Sequence, residues 1–185
     1  MLLLIAGLGL WIAAHVFKRM MPDARAALGA NAGRGIMTVL IIGALLMMIF
    51  GYRWAPFVEI WTPPGFLTHV NNLLMIIAVY VYFSTAALPG KVWIASKVAH
   101  PQLLGVKIWS VAHLLVNGDL ASIILFGGLL GWAVWNLILI KRGVDTFDRT
   151  KAPIKSELAF TAVSAVMFVV ITGIHTLAGV SPFGG

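Results

Sequence analysis

Apolar residues in this chain gather into six runs, at about residues 2–17, 36–52, 66–88, 102–117, 119–140 and 158–179, with nearly all the charge between them. Such runs approach the roughly 20 residues that a helix needs to cross a bilayer. The expected fold is an all-α integral membrane protein, a bundle of about six transmembrane helices filling residues 1–185 as a single domain. With 61% of residues hydrophobic, 10% charged and a mean hydropathy of +0.98, no stretch is left over for a soluble domain. Membrane lipids are the first expected partners.

A net charge of +7 and a pI near 10.2 would suggest nucleic acid in a soluble protein. Here the cations sit between apolar runs, so they read as topology determinants and no nucleic-acid partner is expected. Lys18, Arg19, Arg25 and Arg34 fall in the first loop, Lys91 and Lys97 in the third, and Lys141, Arg142, Arg149, Lys151 and Lys155 in the fifth. Eleven of thirteen cations therefore share one side, and the positive-inside rule puts both termini on the other, periplasmic in a bacterial inner membrane. The first run lacks a basic segment ahead of it and is followed by Lys18 and Arg19, which marks a retained helix and not a cleaved signal. Trp54, Trp61 and Trp93 fall near helix ends as interfacial anchors, and Gly127, Gly128 and Gly131 read as small residues for close helix approach.

Polar residues inside the spans must find partners within the protein, because hydrocarbon offers none. Gly105, Trp109, His113 and Asn117 recur every four residues and form one helical stripe; Thr161, Ser164, Phe168, Thr172 and His175 form a second. His69 and Asn72 open the third helix, His15 ends the first, and His100 precedes Pro101. The absence of cysteine removes disulfides, thiolate ligands and a cysteine nucleophile, so histidine must carry any tightly held transition metal. Imidazole suits haem iron, zinc or copper, with a neighbour such as Asn117 or Thr172 orienting the ring. At ~1.5 Å per residue, His113, His175 and His69 lie towards one membrane face, and His15 and His100 towards the other. Depth alone therefore pairs His113 with His175 or His69. Asp119, Asp145, Asp148 and Glu157 are expected in loops or at helix edges, and Lys107 near the start of the fourth helix.

The run His100-Pro101-Gln102-Leu103-Leu104-Gly105, then Trp109, Ala112-His113 and Asn117-Gly118-Asp119-Leu120, resembles the NnrU family of membrane proteins. The likeness extends over most of the chain, including His15, the basic fifth loop and His175. It implies an association with denitrification, through nitrite and nitric oxide metabolism, and a relationship to 15-cis-zeta-carotene isomerase, a haem b membrane enzyme. It further implies haem b held by two histidines, at the matching positions His15 and His113, in a pocket shaped by Gly105 and Trp109. The activity implied is that of a haem-dependent oxidoreductase or cis-trans isomerase acting on a hydrophobic substrate such as a carotenoid, or on a small nitrogen oxide. A different class also fits: a non-enzymatic accessory protein for a respiratory complex, making helix-to-helix contacts with membrane partners or a second copy of itself. An isoprenylcysteine-type methyltransferase is disfavoured by Ala99, where arginine would be expected.

Overall fold

A computed structural model describes residues 1–84, 92–141 and 153–183. Lys91, Arg142, Asp145, Asp148, Arg149 and Lys151, together with residues 85–88 of the third apolar run, lie outside them. The described elements are α1 (Leu2–Met20), α2 (Pro22–Ala27), α3 (Ala30–Arg53), α4 (Leu67–Phe83), α5 (Trp93–Lys97), α6 (Pro101–Val116), α7 (Leu120–Ser122), a π-helical turn (Ile123–Gly127), α8 (Gly128–Lys141) and α9 (Ile154–Leu177). Over its described residues, each of the six apolar runs is largely helical. Among the described residues, four helical stretches, Leu2–Met20, Ala30–Arg53, Leu120–Ile140 and Ile154–Leu177, are long and apolar enough to cross a membrane. α4 and α6 have 17 and 16 residues, about 25 Å of helix each, which falls short of a ~30 Å hydrocarbon core. Large apolar side chains point outward, as with Val39 on α3 and Val169 on α9, both 69% exposed, so lipid supplies the favourable surroundings that burial provides in a soluble protein.

The chain divides into two compact units, Met1–Thr62 with Gly118–Arg142 and Pro63–Asn117 with Gly143–Gly185. In the first, α1 packs antiparallel on α3 through backbone-to-backbone contact. A Cβ on Gly51 would collide with the Leu4 nitrogen, and one on Gly7 would lie 2.8 Å from the Met48 nitrogen. Lys18 and Arg19 end α1, where cations complement the helix dipole, and Pro22 opens α2 at a position that needs no N–H donor. α3 starts six residues before its apolar run. Arg34, expected in a loop, lies inside the helix, donating to the Asn31 carboxamide at 2.6 Å while its carbonyl accepts from Thr38. A helix can extend beyond hydrocarbon wherever side chains of this kind support its first turns.

Between α3 and α7 the chain forms a short strap. Ile60 and Trp61 N–H groups donate to the Gly118 carbonyl, and Leu120 N–H donates to Val58. A Cβ on Gly118 would overlap the Trp61 carbonyl oxygen, so only glycine fits there. Asp119, expected in a loop or at a helix edge, caps α7, accepting from both the backbone N–H and the hydroxyl of Ser122. With its own proton committed to Asp119, the fully buried Ser122 hydroxyl accepts from Tyr52 at 2.8 Å. The glycine spacing in the fifth run also resolves differently. Gly127 and Gly131 have nothing within 4 Å of a Cβ position, whereas Gly128 meets Leu8 of α1.

In the second unit, α4 and α6 run antiparallel, and Gly105 brings α6 so close that a Cβ there would lie 2.9 Å from Tyr82 Cα. α9 joins α4 through Tyr80, whose ring stacks edge-on against the fully buried Phe160 at 5.5 Å. Val92 and Ala95, which flank the start of α5, pack on the same phenylalanine. Glu157 lies at a helix edge as expected, in the first turn of α9, and accepts from the Tyr80 hydroxyl at 3.1 Å and from the Trp93 backbone N–H. Along α9, Ser164, Phe168, Thr172 and His175 lie on the less exposed side, while Thr161 faces outward.

Candidate functional site

Three of the five histidines share one local geometry. His15 on α1, His113 on α6 and His175 on α9 each turn Nδ1 to the carbonyl of the residue four before, Trp11 at 2.8 Å, Trp109 at 3.0 Å and Ile171 at 2.8 Å. A carbonyl only accepts, so Nδ1 carries a proton, and the ring's lone pair, when it has one, is on Nε2. This arrangement fixes tautomer and orientation as the outer-shell partners of metal-ligating histidines do. It arises from the helix itself, since an imidazole in the right rotamer lies over the turn preceding it.

His15 and His113 share a second feature. The segments Trp11-Ile12-Ala13-Ala14-His15 and Trp109-Ser110-Val111-Ala112-His113 place a tryptophan one turn before each histidine, with the ring centroids 4.2 Å and 5.0 Å apart. The repeated Trp-x-x-Ala-His pattern is visible in the sequence and was the available signal for Trp11. Trp132 carried no such signal. It arrives on α8 and stands edge-on to His15 at 4.8 Å and to Trp11 at 5.5 Å, completing an aromatic box inside the first unit. The indole nitrogens of Trp11 and Trp132 are buried without hydrogen-bond partners, as is the side-chain oxygen of Asn136 one turn further along α8.

In the second unit, His113 and His175 come together, with ring centroids 6.5 Å apart and planes tilted by 41°. Asn117 does not orient the His113 ring: its amide donates to the His113 backbone carbonyl at 2.8 Å and closes the end of α6, while the ring is held by Trp109. Gly105 is occupied by the contact with Tyr82, so its part in shaping the site is to set the spacing of α4 and α6. His69 is exposed on the first turn of α4. His100 is the N-cap residue of α6, followed by Pro101 at the first helical position, so the His-Pro pair marks a helix start. His15 belongs to the first unit; His113, His175 and His69 belong to the second.

Among the described residues, no three His, Asp or Glu side chains converge as a metal cage would require. Paired imidazoles with defined Nε2 donors instead fit a group that brings its own equatorial ligands, such as haem. Two opposed imidazoles on one metal, at about 2 Å each, set their ring centroids about 6 Å apart, near the observed 6.5 Å between His113 and His175. The spacing of these two rings is one that two imidazoles on a single iron would have.

Fold and site together define an all-α integral membrane protein that carries clamped histidines on three of its helices. The chain belongs to the NnrU family, whose model, described as NnrU protein, matches residues 3–182. No curated protein and no solved structure matches it.

Proposed function

We propose that this chain is a haem b-binding membrane protein in which His113 is one axial ligand. The carrying observation is the clamp on Nδ1 of His113, which fixes Nε2 as the ligating atom, with the His175 ring 6.5 Å away in the same unit. Proximity favours His175 as the second ligand. His15 is the competing choice, favoured by the Trp-x-x-Ala-His segment and stacked tryptophan that it shares with His113. Bound, haem b would supply a one-electron couple and iron as a Lewis acid. The chain's own residues hold the imidazoles and fix their tautomers.

The activity proposed is oxidoreductase or isomerase chemistry, on a hydrophobic substrate such as a carotenoid or on nitrogen oxides in denitrification. All six apolar helices are taken to enter the membrane, the shorter α4 and α6 included, with local thinning or tilt of neighbours absorbing the mismatch. Lys18, Arg19, Arg25 and Arg34 cluster around the α1–α3 connection, and this supports a bacterial inner-membrane topology with periplasmic termini.

Purification in mild detergent from haem-replete cells, with haem b quantified as its pyridine complex, tests the reading. About one haem per chain in the wild type, lost in His113→Ala, is expected. A wild-type chain that stays colourless after haem addition overturns the reading and leaves an accessory role in a respiratory complex as the better one.

A further inference from the structure

Lys107 lies six residues into α6, about 9 Å along its axis, on a face that is otherwise apolar. Together with Leu74 of α4 and Leu104, Ile108 and Val111 of α6, it lines an open groove of about 290 Å³. The wall is almost wholly apolar, so Lys107 contributes its methylene stem there and carries its ammonium group beyond it. Among the described residues of this unit the one carboxylate is Glu157, already committed to Tyr80 and Trp93. An ammonium at the rim of an apolar membrane groove attracts an anionic group of the surrounding lipid.

We infer that the α4–α6 groove is a binding site for one anionic phospholipid, with the phosphate on Lys107 and an acyl chain running from it along Leu74, Ile108 and Val111. Along α6 the lysine stands between Leu104 on one side and Ile108 and Val111 on the other, so the groove offers methyl and methylene groups for an acyl chain beside a cation for the phosphate. Basic positions between membrane helices recruit anionic headgroups in this manner, and a zwitterionic lipid gains less because its own ammonium repels the lysine. The site involves none of the histidines and does not depend on haem.

Native mass spectrometry of the full chain in detergent, after addition of equal amounts of phosphatidylglycerol and phosphatidylcholine with identical acyl chains, reads the site directly. The wild type is expected to retain one phosphatidylglycerol several-fold in preference to phosphatidylcholine. Lys107→Gln should bring the ratio to near unity, Lys107→Arg should restore it, and Val111→Trp, which fills the groove, should lower retention of both lipids. A preference for phosphatidylglycerol unchanged in Lys107→Gln and Val111→Trp would overturn the inference, as would equal retention of the two lipids by the wild type. The helical circular dichroism of each variant, compared with the wild type, separates loss of the site from loss of the fold, and Lys107→Arg keeps the test decisive if Lys107→Gln fails to fold.

Discussion

At the scale of single residues, the run Asn117-Gly118-Asp119 shows how a motif can be built for structure. Asn117 closes α6, Gly118 admits the Trp61 carbonyl, and Asp119 opens α7 while anchoring the Ser122–Tyr52 chain. Gly118→Ala should destabilise the protein by about 1–3 kcal/mol, because the new methyl must displace backbone, and should lower the thermal midpoint followed by circular dichroism in detergent. An unchanged midpoint would mean that the strap moves aside without cost. Asp119→Ala should lose about 1 kcal/mol as a cap residue, with the same readout. The importance of these positions was legible in the sequence, but their roles were not, since Gly118 answers to Trp61, a partner far away in the chain. The site divides the same way. The four-residue spacing that clamps His15 and His113 is local and readable, whereas the box that Trp132 completes around His15 depends on how α1 meets α8.

At the scale of elements, helix existence was well marked by apolar runs, and the helix faces were less so. The fifth run explains why. Its π turn at Ile123–Gly127 adds a residue to the winding and rotates the remainder of the helix by roughly 100°, so regular spacing cannot tell which glycine meets a neighbour. Gly128→Leu is therefore expected to destabilise the first unit, driving a side chain into Leu8, while Gly127→Leu and Gly131→Leu should be tolerated. Thermal unfolding of the three variants side by side checks this, and a larger loss in Gly127→Leu or Gly131→Leu would reverse the assignment. The short helices α2 and α5 escaped the apolar pattern because they hold few residues and stand between the long runs. α4 ends at Phe83, ahead of its apolar run's end, where Ser84 turns its hydroxyl back onto the Val81 carbonyl.

At the scale of the whole molecule, hydropathy determined the class, since a chain with outward-facing valines and leucines is stable only in lipid. Which histidines serve a common ligand was not legible, because depth in the membrane and helix neighbourhood are tertiary properties. The reading that joins these scales is that clamped histidines on membrane helices hold haem b, with His113 indispensable. Reduced-minus-oxidised absorption spectra of the wild type, His113→Ala, His175→Ala and His15→Ala, recorded on haem-replete protein in detergent, test it most directly. A b-type spectrum that vanishes in His113→Ala and turns high-spin in His175→Ala is the expected result, while a high-spin shift in His15→Ala instead transfers the second ligand to α1. A b-type spectrum that survives His113→Ala unchanged would contradict the central claim.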